Sequence, residues 1–176
     1  SARRPPGRRA RRSSMRIGVV SDTHNNLANT RRIVELFNAA RVERVIHTGD
    51  VTQPKTLDVL AGLDAPLHGV WGNNDQDELH RLAPAAEAHG FRFTQPPLHL
   101  EWHGRRILVV HDPREFEGHL ADHHALALHG HTHLQVIERC EKRLLFNPGE
   151  CAGHMKGRNV VGVVDLATLD HELLWF

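Results

Sequence analysis

The sequence predicts an α/β fold in which two mixed β-sheets pack as a sandwich and the helices lie outside. In the first half of the chain, apolar runs alternate with amphipathic stretches, a βαβα pattern that is typical of parallel strands joined by helices. In the second half, apolar runs are separated by short turns, which predicts hairpins. The chain has 176 residues, enough for one domain with a substantial core.

The first half is predicted to contain three buried strands and three helices. The first helix carries apolar residues such as Ile33, Leu36 and Phe37 on one face. The second follows Pro54, a residue that suits the start of a helix. The predicted strands span residues 15–20, 42–47 and 66–71, and the predicted helices span residues 25–40, 55–63 and 77–89.

The second half is predicted to contain three hairpins, one isolated strand and one short helix. The stretch "LHLEWHGRRILVVHD" reads as two strands around a His103-Gly104 turn. A short helix is expected at 115–123 and a strand at 126–129. The two remaining hairpins lie in "QVIERCEKRLLFNPG" and in "NVVGVVDLATLDHELLWF".

Composition excludes several classes of protein. The two cysteines have no CxxC spacing, which argues against a zinc ribbon and a secreted disulfide framework. No apolar segment reaches the roughly 18 residues that a membrane span needs, and no signal peptide is visible. A cytoplasmic enzyme or scaffold without a membrane partner is therefore expected. The chain holds 16 His and no Tyr, and His is the commonest metal ligand.

Residues 1–14, "SARRPPGRRARRSS", hold six Arg and no acidic residue. Such a segment cannot bury apolar surface by itself, so it is expected to be flexible. One interpretation is an arm that binds nucleic acid. The favoured one is a mis-assigned start or an expression-derived remnant, with Met15 opening a domain that spans residues 15–176.

Polar clusters recur where predicted strands end. They are "DTH", "GD", "GNND", a strand-terminal His and "GHTH", in that order. Singly, each has an ordinary explanation as a helix cap or a turn. Together they predict a shared site, because ligands bind beyond the carboxyl ends of strands in open α/β sheets. The candidate residues are Asp22, His24, Asp50, Asn73, His111, His131 and His133.

This ordered set of motifs resembles the calcineurin-like metallophosphoesterases, and most closely their small single-domain bacterial and archaeal phosphodiesterases. The resemblance covers residues 15–176, because "NPGECAGHMKGRN" near the end is also similar to the family. It implies a four-layer α-β-β-α sandwich of two mixed sheets, with a dimetal site at the carboxyl ends of strands.

The resemblance also implies two divalent metal ions that share a bridging carboxylate, Asp50. It assigns the first ion to Asp22, His24, Asp50 and His133. It assigns the second ion to Asp50, Asn73, His111 and His131. Because the ligands offer only nitrogen and oxygen, Mn, Fe, Ni, Co and Zn are all suitable, and the resemblance favours Mn or Ni.

The implied reaction is hydrolysis of a phosphodiester in a small molecule or nucleotide, by attack of a hydroxide that bridges the metals. Three alternatives stay open: a phosphomonoesterase with the same centre, a weakly active or non-catalytic scaffold of this fold, and a nuclease that uses the Arg-rich tail. The apolar terminal run "ELLWF" has two interpretations: a surface for a homodimer, or core strand residues at Leu173, Leu174 and Trp175.

The third motif departs from the family pattern. Many members read "GNH" and use the His to protonate the leaving group, whereas this chain has Asn74. Asn cannot be a general acid but can donate a hydrogen bond to phosphate. Asp75 is expected behind the site, where it orients Asn73 or Asn74, or caps the following helix. Asn74 and Asp75 are the candidate catalytic residues.

The fourth motif departs as well, since relatives read "HGH" and this chain reads "HDP", with Asp112 and Pro113 after His111. A carboxylate here would repel phosphate or select a substrate with a positive group. The alternative, slightly favoured, is that Asp112 caps a short helix after Pro113.

Overall fold

A computed structural model describes residues 14–176, and the predicted tail at 1–14 lies outside the described residues except for Ser14. The chain forms eleven strands in two sheets and three α-helices in the described part. The helices are α1 (Leu27–Ala40), α2 (Pro54–Leu60) and α3 (Leu79–Ala88). None of the helices in residues 14–176 has the length and apolar character needed to cross a membrane.

The first sheet has six strands in the order β11-β10-β1-β2-β3-β4. The last four of these are parallel, and β10 and β11 form an antiparallel hairpin against β1. The bounds are β1 (Arg16–Val20), β2 (Arg44–His47), β3 (Leu67–Val70), β4 (Arg92–Thr94), β10 (Val160–Asp165) and β11 (His171–Trp175).

The second sheet has five strands in the order β5-β6-β7-β9-β8. The three central strands are parallel, and the two edge strands are antiparallel to their neighbours. The bounds are β5 (Leu98–Trp102), β6 (Arg105–Val109), β7 (His124–Leu128), β8 (Val136–Cys140) and β9 (Arg143–Asn147). The β5–β6 turn has positive φ at both His103 and Gly104, as the predicted tight hairpin turn requires.

Alternation along β1 shows how the layers stack. Ile17 and Val19 face the second sheet, where they pack with residues such as Phe146. Val20 faces the other way, into a core shared with the helix residues Ile33 and Phe37. Because successive side chains of a strand point to opposite faces of the sheet, β1 contributes residues to both hydrophobic cores. Both sheets are mixed and the helices lie outside, as predicted.

The outer face of the second sheet is covered by a short 3-10 segment instead of the predicted helix. The helix expected at 115–123 is replaced by one turn of 3-10 helix, Pro113–Phe116, whose Phe116 packs on outward residues such as Leu108 and Val110. The chain leaves helical geometry at Glu117, which has ψ 128°, and Gly118 follows with φ +78°, so the segment does not continue as an α-helix.

Other differences are local. The helix expected at 77–89 begins as a 3-10 helix, Asn73–Glu78, before α3. Strand β4 was not predicted, because it has only three residues, too few for a two-residue period to be recognised. In the terminal "ELLWF" run, Leu173 and Leu174 pack against the two cores, whereas Trp175 is 53% exposed.

Candidate metal centre

Every predicted site residue lies just beyond the carboxyl end of a parallel strand. In the first sheet, Asp22 and His24 follow β1, Asp50 follows β2, and Asn73 follows β3. In the second sheet, the site residues follow β6 and β7. A hydrogen bond joins the loops of the two sheets: the backbone N–H of His131 donates to the side-chain Oδ2 of Asp22 at 3.0 Å. The site is therefore shared by both sheets.

The backbone at the site is held in an uncommon conformation. Non-glycine residues with positive φ are uncommon, and a β-branched residue there is an outlier. Thr52, one such residue, has φ +66°. Strained backbone of this kind clusters at functional sites. Five of the seven predicted ligands also have φ between +46° and +70°: Asp22, His24, Asp50, His131 and His133.

The first group of side chains gathers around Asp22. Its Oδ1 lies 3.9 Å from His24 Nε2 and 3.5 Å from His133 Nε2. His24 Nε2 also lies 3.6 Å from Asp50 Oδ2. The ligand atoms of Asp22, His24 and His133 all lie within 4.8 Å of one another, so these three residues could hold one metal ion.

The second group gathers around His111. Its Nε2 lies 2.9 Å from Asn73 Oδ1, 3.3 Å from His131 Nδ1 and 3.4 Å from Asp50 Oδ2. Asp50 is the carboxylate within reach of both groups, through the same oxygen. Asp22, Asp50 and His111 form a further set with ligand atoms within 4.8 Å, so Asp22 also lies close to the second group.

Two buried atoms at the centre have no hydrogen-bond partner among the described residues: Asp22 Oδ1 and His24 Nε2. Buried polar atoms are normally paired, because an unmade hydrogen bond costs about 1–3 kcal/mol. The two atoms lie 3.9 Å apart. A carboxylate oxygen and an imidazole nitrogen are both ligand atoms that bind divalent transition metals. The residues present therefore fit a metal ion.

Asp50 and His111 stabilise each other's charge. Burial by itself would suppress both charges, but the carboxylate of Asp50 and the carbonyl of Thr48, 2.8 Å from His111 Nδ1, raise the pKa of His111 to about 9. Burial likewise opposes ionisation of Asp50, yet hydrogen bonds from His111 and Asn74 lower its pKa below the usual range. Because the Thr48 oxygen can only accept, His111 Nδ1 carries a proton and Nε2 faces the centre.

Asp75 lies behind the site, but with different partners from those expected. It is fully buried, and its carboxylate accepts the backbone N–H groups of Asp50, Thr52 and Gly72 at 2.9, 2.7 and 2.8 Å. It makes no recorded hydrogen bond with the side chain of Asn73 or Asn74 in the described structure. The expected partner, Asn73 or Asn74, is replaced by N–H groups of two neighbouring loops. The bond from the Gly72 N–H belongs to a capping box at the start of the 3-10 helix Asn73–Glu78, which agrees with the alternative role as a helix cap.

Asn74 contacts Asp50 twice. Its backbone N–H donates to Asp50 Oδ1 at 3.0 Å, and its side-chain amide donates to Oδ2 at 2.9 Å. The residue is exposed, on the open side of the centre. An amide here is a hydrogen-bond donor that carries no transferable acidic proton.

Asp112 does cap the short helix, as the favoured alternative predicted. Its Oδ1 accepts the Arg114 N–H at 3.0 Å, and Arg114 Nη2 bonds to its Oδ2 at 2.6 Å. Hydrogen bonds from Arg114 lower the pKa of Asp112 to about 2. The same Oδ2 lies 3.5 Å from His131 Nε2. Arg114 therefore balances the charge that would otherwise repel phosphate.

Two features of the site escaped sequence analysis. Gly130 lies where any Cβ would meet Ser21 Oγ, Asp22 Oδ2 and Thr48 Oγ1, so the "GHTH" glycine is required for close approach of two loops. Glu150 Oε1 lies 3.5 Å from His133 Nδ1. In the sequence, Glu150 is marked only as part of the family-like run "NPGECAGHMKGRN", which does not indicate this contact.

Comparison with known proteins identifies the family. The profile of the calcineurin-like phosphoesterase superfamily domain matches residues 15–169. The chain belongs to this superfamily. It is 30% identical, over 154 residues, to phosphodiesterase MJ0936 of Methanocaldococcus jannaschii, covering 86% of this chain and 93% of that protein. Superfamily membership makes the chain a metal-dependent phosphoric ester hydrolase.

Solved structures agree with this assignment. The chain superposes on an archaeal phosphodiesterase with a TM-score of 0.82 and 28% identity, covering 92% of this chain and all of that one. It superposes on the phosphoesterase YfcE of E. coli with a TM-score of 0.65 and 21% identity, covering 91% and 98% of the two chains. The latter likeness supports the fold alone. The predicted α/β fold, with two mixed sheets packed together and helices outside, is confirmed.

Proposed function

We propose that the protein hydrolyses phosphodiester bonds of a small molecule or nucleotide with two divalent metal ions. The observation that carries the proposal is that seven side chains bearing nitrogen or oxygen converge at the carboxyl ends of strands from both sheets. Among the described residues, Asp22 Oδ1 and His24 Nε2 are buried there without a hydrogen-bond partner. The similarity to proteins named as phosphodiesterases supports it.

In this proposal, the two groups of side chains hold one ion each. The first ion takes Asp22, His24, Asp50 and His133, and the second takes Asp50, Asn73, His111 and His131. When bound, such ions supply a hydroxide nucleophile at neutral pH and neutralise charge on the phosphoryl oxygens. Mn or Ni is the expected metal, and Fe, Co or Zn also suits this ligand set.

The protein's own residues place and hold these groups. Asp75 fixes the backbone of the loop that carries Asp50, through its bonds to Asp50 and Thr52. The Thr48 carbonyl fixes the ring of His111. Asn74 directs its amide at the Asp50 carboxylate, where it can also donate to a phosphoryl oxygen. We therefore assign Asn74 to substrate binding and Asp75 to positioning.

A cavity adjoins the second group of side chains. It has a volume of about 320 Å³ and is bordered by His111, His131, Trp71, Gln76 and Gln95. Pockets of roughly this size hold small ligands. The cavity would take the part of the substrate beyond the phosphate, which suits a diester with an organic group on each side.

The choice of diester over monoester rests on Asn74 together with the similarity to proteins named as phosphodiesterases. Many family members have a His at this position, and general acid help is typically worth about 10²–10⁴ in rate. Asn74 cannot supply it. A scaffold role is less well supported, because the full set of seven candidate ligands is present.

The test is hydrolysis of bis-p-nitrophenyl phosphate beside p-nitrophenyl phosphate, with the metal-free protein and with Mn, Ni, Co, Zn or Mg added. We expect metal-dependent cleavage that favours the diester and is lost in Asp50→Asn. Asp64→Asn, the same change at an exposed position, is the matched control and should keep full activity.

Other outcomes would redirect the proposal. Preference for the monoester would indicate a phosphomonoesterase that manages without a general acid at position 74. Folded protein without activity for any metal would contradict the proposal and favour the scaffold.

A further inference from the structure

A second cavity lies between helix α1, the loop that follows Glu150 and the end of strand β11. It has a volume of about 530 Å³, and its border includes Arg32 from α1, Lys156 from the loop and Trp175 from β11. None of the seven candidate metal ligands borders it. A ligand in this cavity would therefore occupy a site separate from the metal centre.

Hydrogen bonds fix the walls of this cavity. Asn29 Nδ2, on α1, donates to the carbonyl oxygens of Cys151 and Gly153, both at 2.9 Å. Asn159 is only 2% exposed, and its Oδ1 accepts the Gly153 N–H at 2.9 Å. The backbones of Asn159 and Phe176 exchange two hydrogen bonds, at 3.1 and 2.9 Å. Because these bonds join the helix, the loop and the strand end, the cavity is formed before any ligand binds.

Positively charged side chains border the cavity, and among the described residues no Asp or Glu side chain does. Lys156 is exposed and makes no ion pair within 4.0 Å in residues 14–176. Arg32 pairs with Glu35 at 3.0 Å, but the two side chains are 53% and 66% exposed, and such surface pairs are weak. His154 adds an imidazole from the same loop. The charge therefore favours an anionic ligand.

Trp175 offers an aromatic surface at the same cavity. Its side chain is 53% exposed, although it belongs to a strand whose neighbours Leu174 and Phe176 pack against the core. Bases of nucleotides stack on exposed aromatic rings of this kind, whatever the base, because every base has a flat π-face. A phosphate group binds well to a Lys ammonium. An aromatic ring and unpaired positive charge at one cavity thus suit a ligand that carries both a flat ring and a phosphate.

We propose that this cavity binds a nucleotide, with its base stacked on Trp175 and its phosphate beside Lys156 and Arg32. The inference does not depend on the proposed hydrolysis, because the two sites share no residue. A free nucleotide and a nucleotide within a single strand of RNA or DNA offer the same chemistry, and the experiment separates these two sources.

The test is calorimetry on the full chain, kept metal-free with a chelator, with adenosine monophosphate, adenosine and inorganic phosphate as separate probes. We expect adenosine monophosphate to bind more tightly than either of its parts. Trp175→Ala should weaken its binding by about 5- to 150-fold, with an unchanged thermal midpoint. Trp175→Phe should retain most of the affinity, because it keeps an aromatic ring.

A charge variant separates the roles of base and phosphate. Lys156→Gln should weaken binding of adenosine monophosphate and leave binding of adenosine unchanged. Lys142→Gln makes the same change at an exposed position away from this cavity, and it should bind both probes as the parent protein does.

A short single-stranded oligoadenylate distinguishes the sources. Tighter binding than adenosine monophosphate, with a steeper loss of affinity as salt is added, would identify a strand as the ligand. Equal affinity would identify the free nucleotide, and either result upholds the site if Trp175→Ala weakens it.

Other outcomes would overturn the proposal. One is the absence of binding, and another is an affinity that neither Trp175→Ala nor Lys156→Gln changes. Asp50→Asn alters the candidate metal centre and should bind adenosine monophosphate normally. Loss of binding in Asp50→Asn, with none in Trp175→Ala, would place the nucleotide at the metal centre instead. Hydrolytic activity does not enter this test, so the two proposals fail separately.

Discussion

At the scale of single residues, the proposed function makes Asn74 the residue that would limit which esters the site can cleave. Its side chain donates to Asp50 Oδ2 at 2.9 Å, on the open face of the centre where a general acid would stand. An amide cannot protonate a departing oxygen. The leaving group must therefore depart as an anion or take its proton from water.

We predict that rates for a series of aryl phosphodiesters fall steeply as the pKa of the leaving alcohol rises. Asn74→His should flatten this dependence and speed the poorest leaving groups by about 10²-fold or more, because it restores a general acid. Asn74→Ala is the control and should not flatten it. Equal slopes for the parent protein and the Asn74→His variant, obtained from steady-state rates, would show that position 74 has no part in leaving-group departure.

His47 is buried in a neutral form. Its Nδ1 accepts the Gly49 N–H at 3.0 Å, so the proton lies on Nε2, 2.9 Å from Thr23 Oγ1. Burial, aided by the charges of His111 and His24 and opposed by Asp50, lowers the pKa of His47 to about 3. A charged ring would have to break the bond to Gly49.

This shift predicts a dependence of stability on pH. The unfolded chain binds a proton at His47 below about pH 6.5, whereas the folded chain does so only near pH 3. Stability should therefore fall as pH drops from 6.5 toward 3, by roughly 3–5 kcal/mol from this residue. Urea unfolding at several pH values should show a shallower fall for His47→Asn. If stability fell as steeply in His47→Asn as in the parent protein, the lowered pKa of His47 would be contradicted. His80→Asn changes an exposed His and is the control.

Asp75 acts at the scale of elements, because it joins the loops that follow β2 and β3. Three backbone N–H groups, from Asp50, Thr52 and Gly72, converge on one buried carboxylate. Burial raises the pKa of Asp75, and the three N–H bonds oppose this shift because they stabilise the charged carboxylate. The strained conformations of Asp50 and Thr52 persist because this anchor holds them.

We expect Asp75→Asn to lower the free energy of unfolding by about 3 kcal/mol, because the amide group would turn a donor toward backbone donors. Denaturant titration measures the loss. Asp77→Asn, an exposed change in the same 3-10 helix, should alter stability by less than about 0.5 kcal/mol. A similar small effect for Asp75→Asn would mean that the loops hold their shape without it.

Prediction of elements from the sequence succeeded where periodicity is strong. Strands such as β1 and β2 and helix α1 are long enough for apolar patterns to define them. The β4 strand and the 3-10 turn at Pro113 were missed or misjudged, because their form depends on neighbours distant in the chain. The partners of Asp75 could not be predicted, since backbone N–H groups leave no trace in a sequence motif.

The site, at the scale of the whole molecule, depends on both sheets being assembled. The loops after β1, β2 and β3 supply one side, and those after β6, β7 and β9 supply the other. Motif order predicted which residues meet, because strand ends of parallel sheets share an edge. It could not predict that the carboxylates of Asp112 and Glu150 lie 3.5 Å from the rings of His131 and His133.

The most direct test of the account is a count of metal ions at Asp50. Metal-free protein is titrated with Mn²⁺ by calorimetry, and the bound metal is measured by mass spectrometry after dialysis. The account predicts two ions per chain in the parent and the loss of at least one in Asp50→Asn, because this carboxylate is within reach of both groups of side chains. One ion or none in the folded parent protein would contradict it.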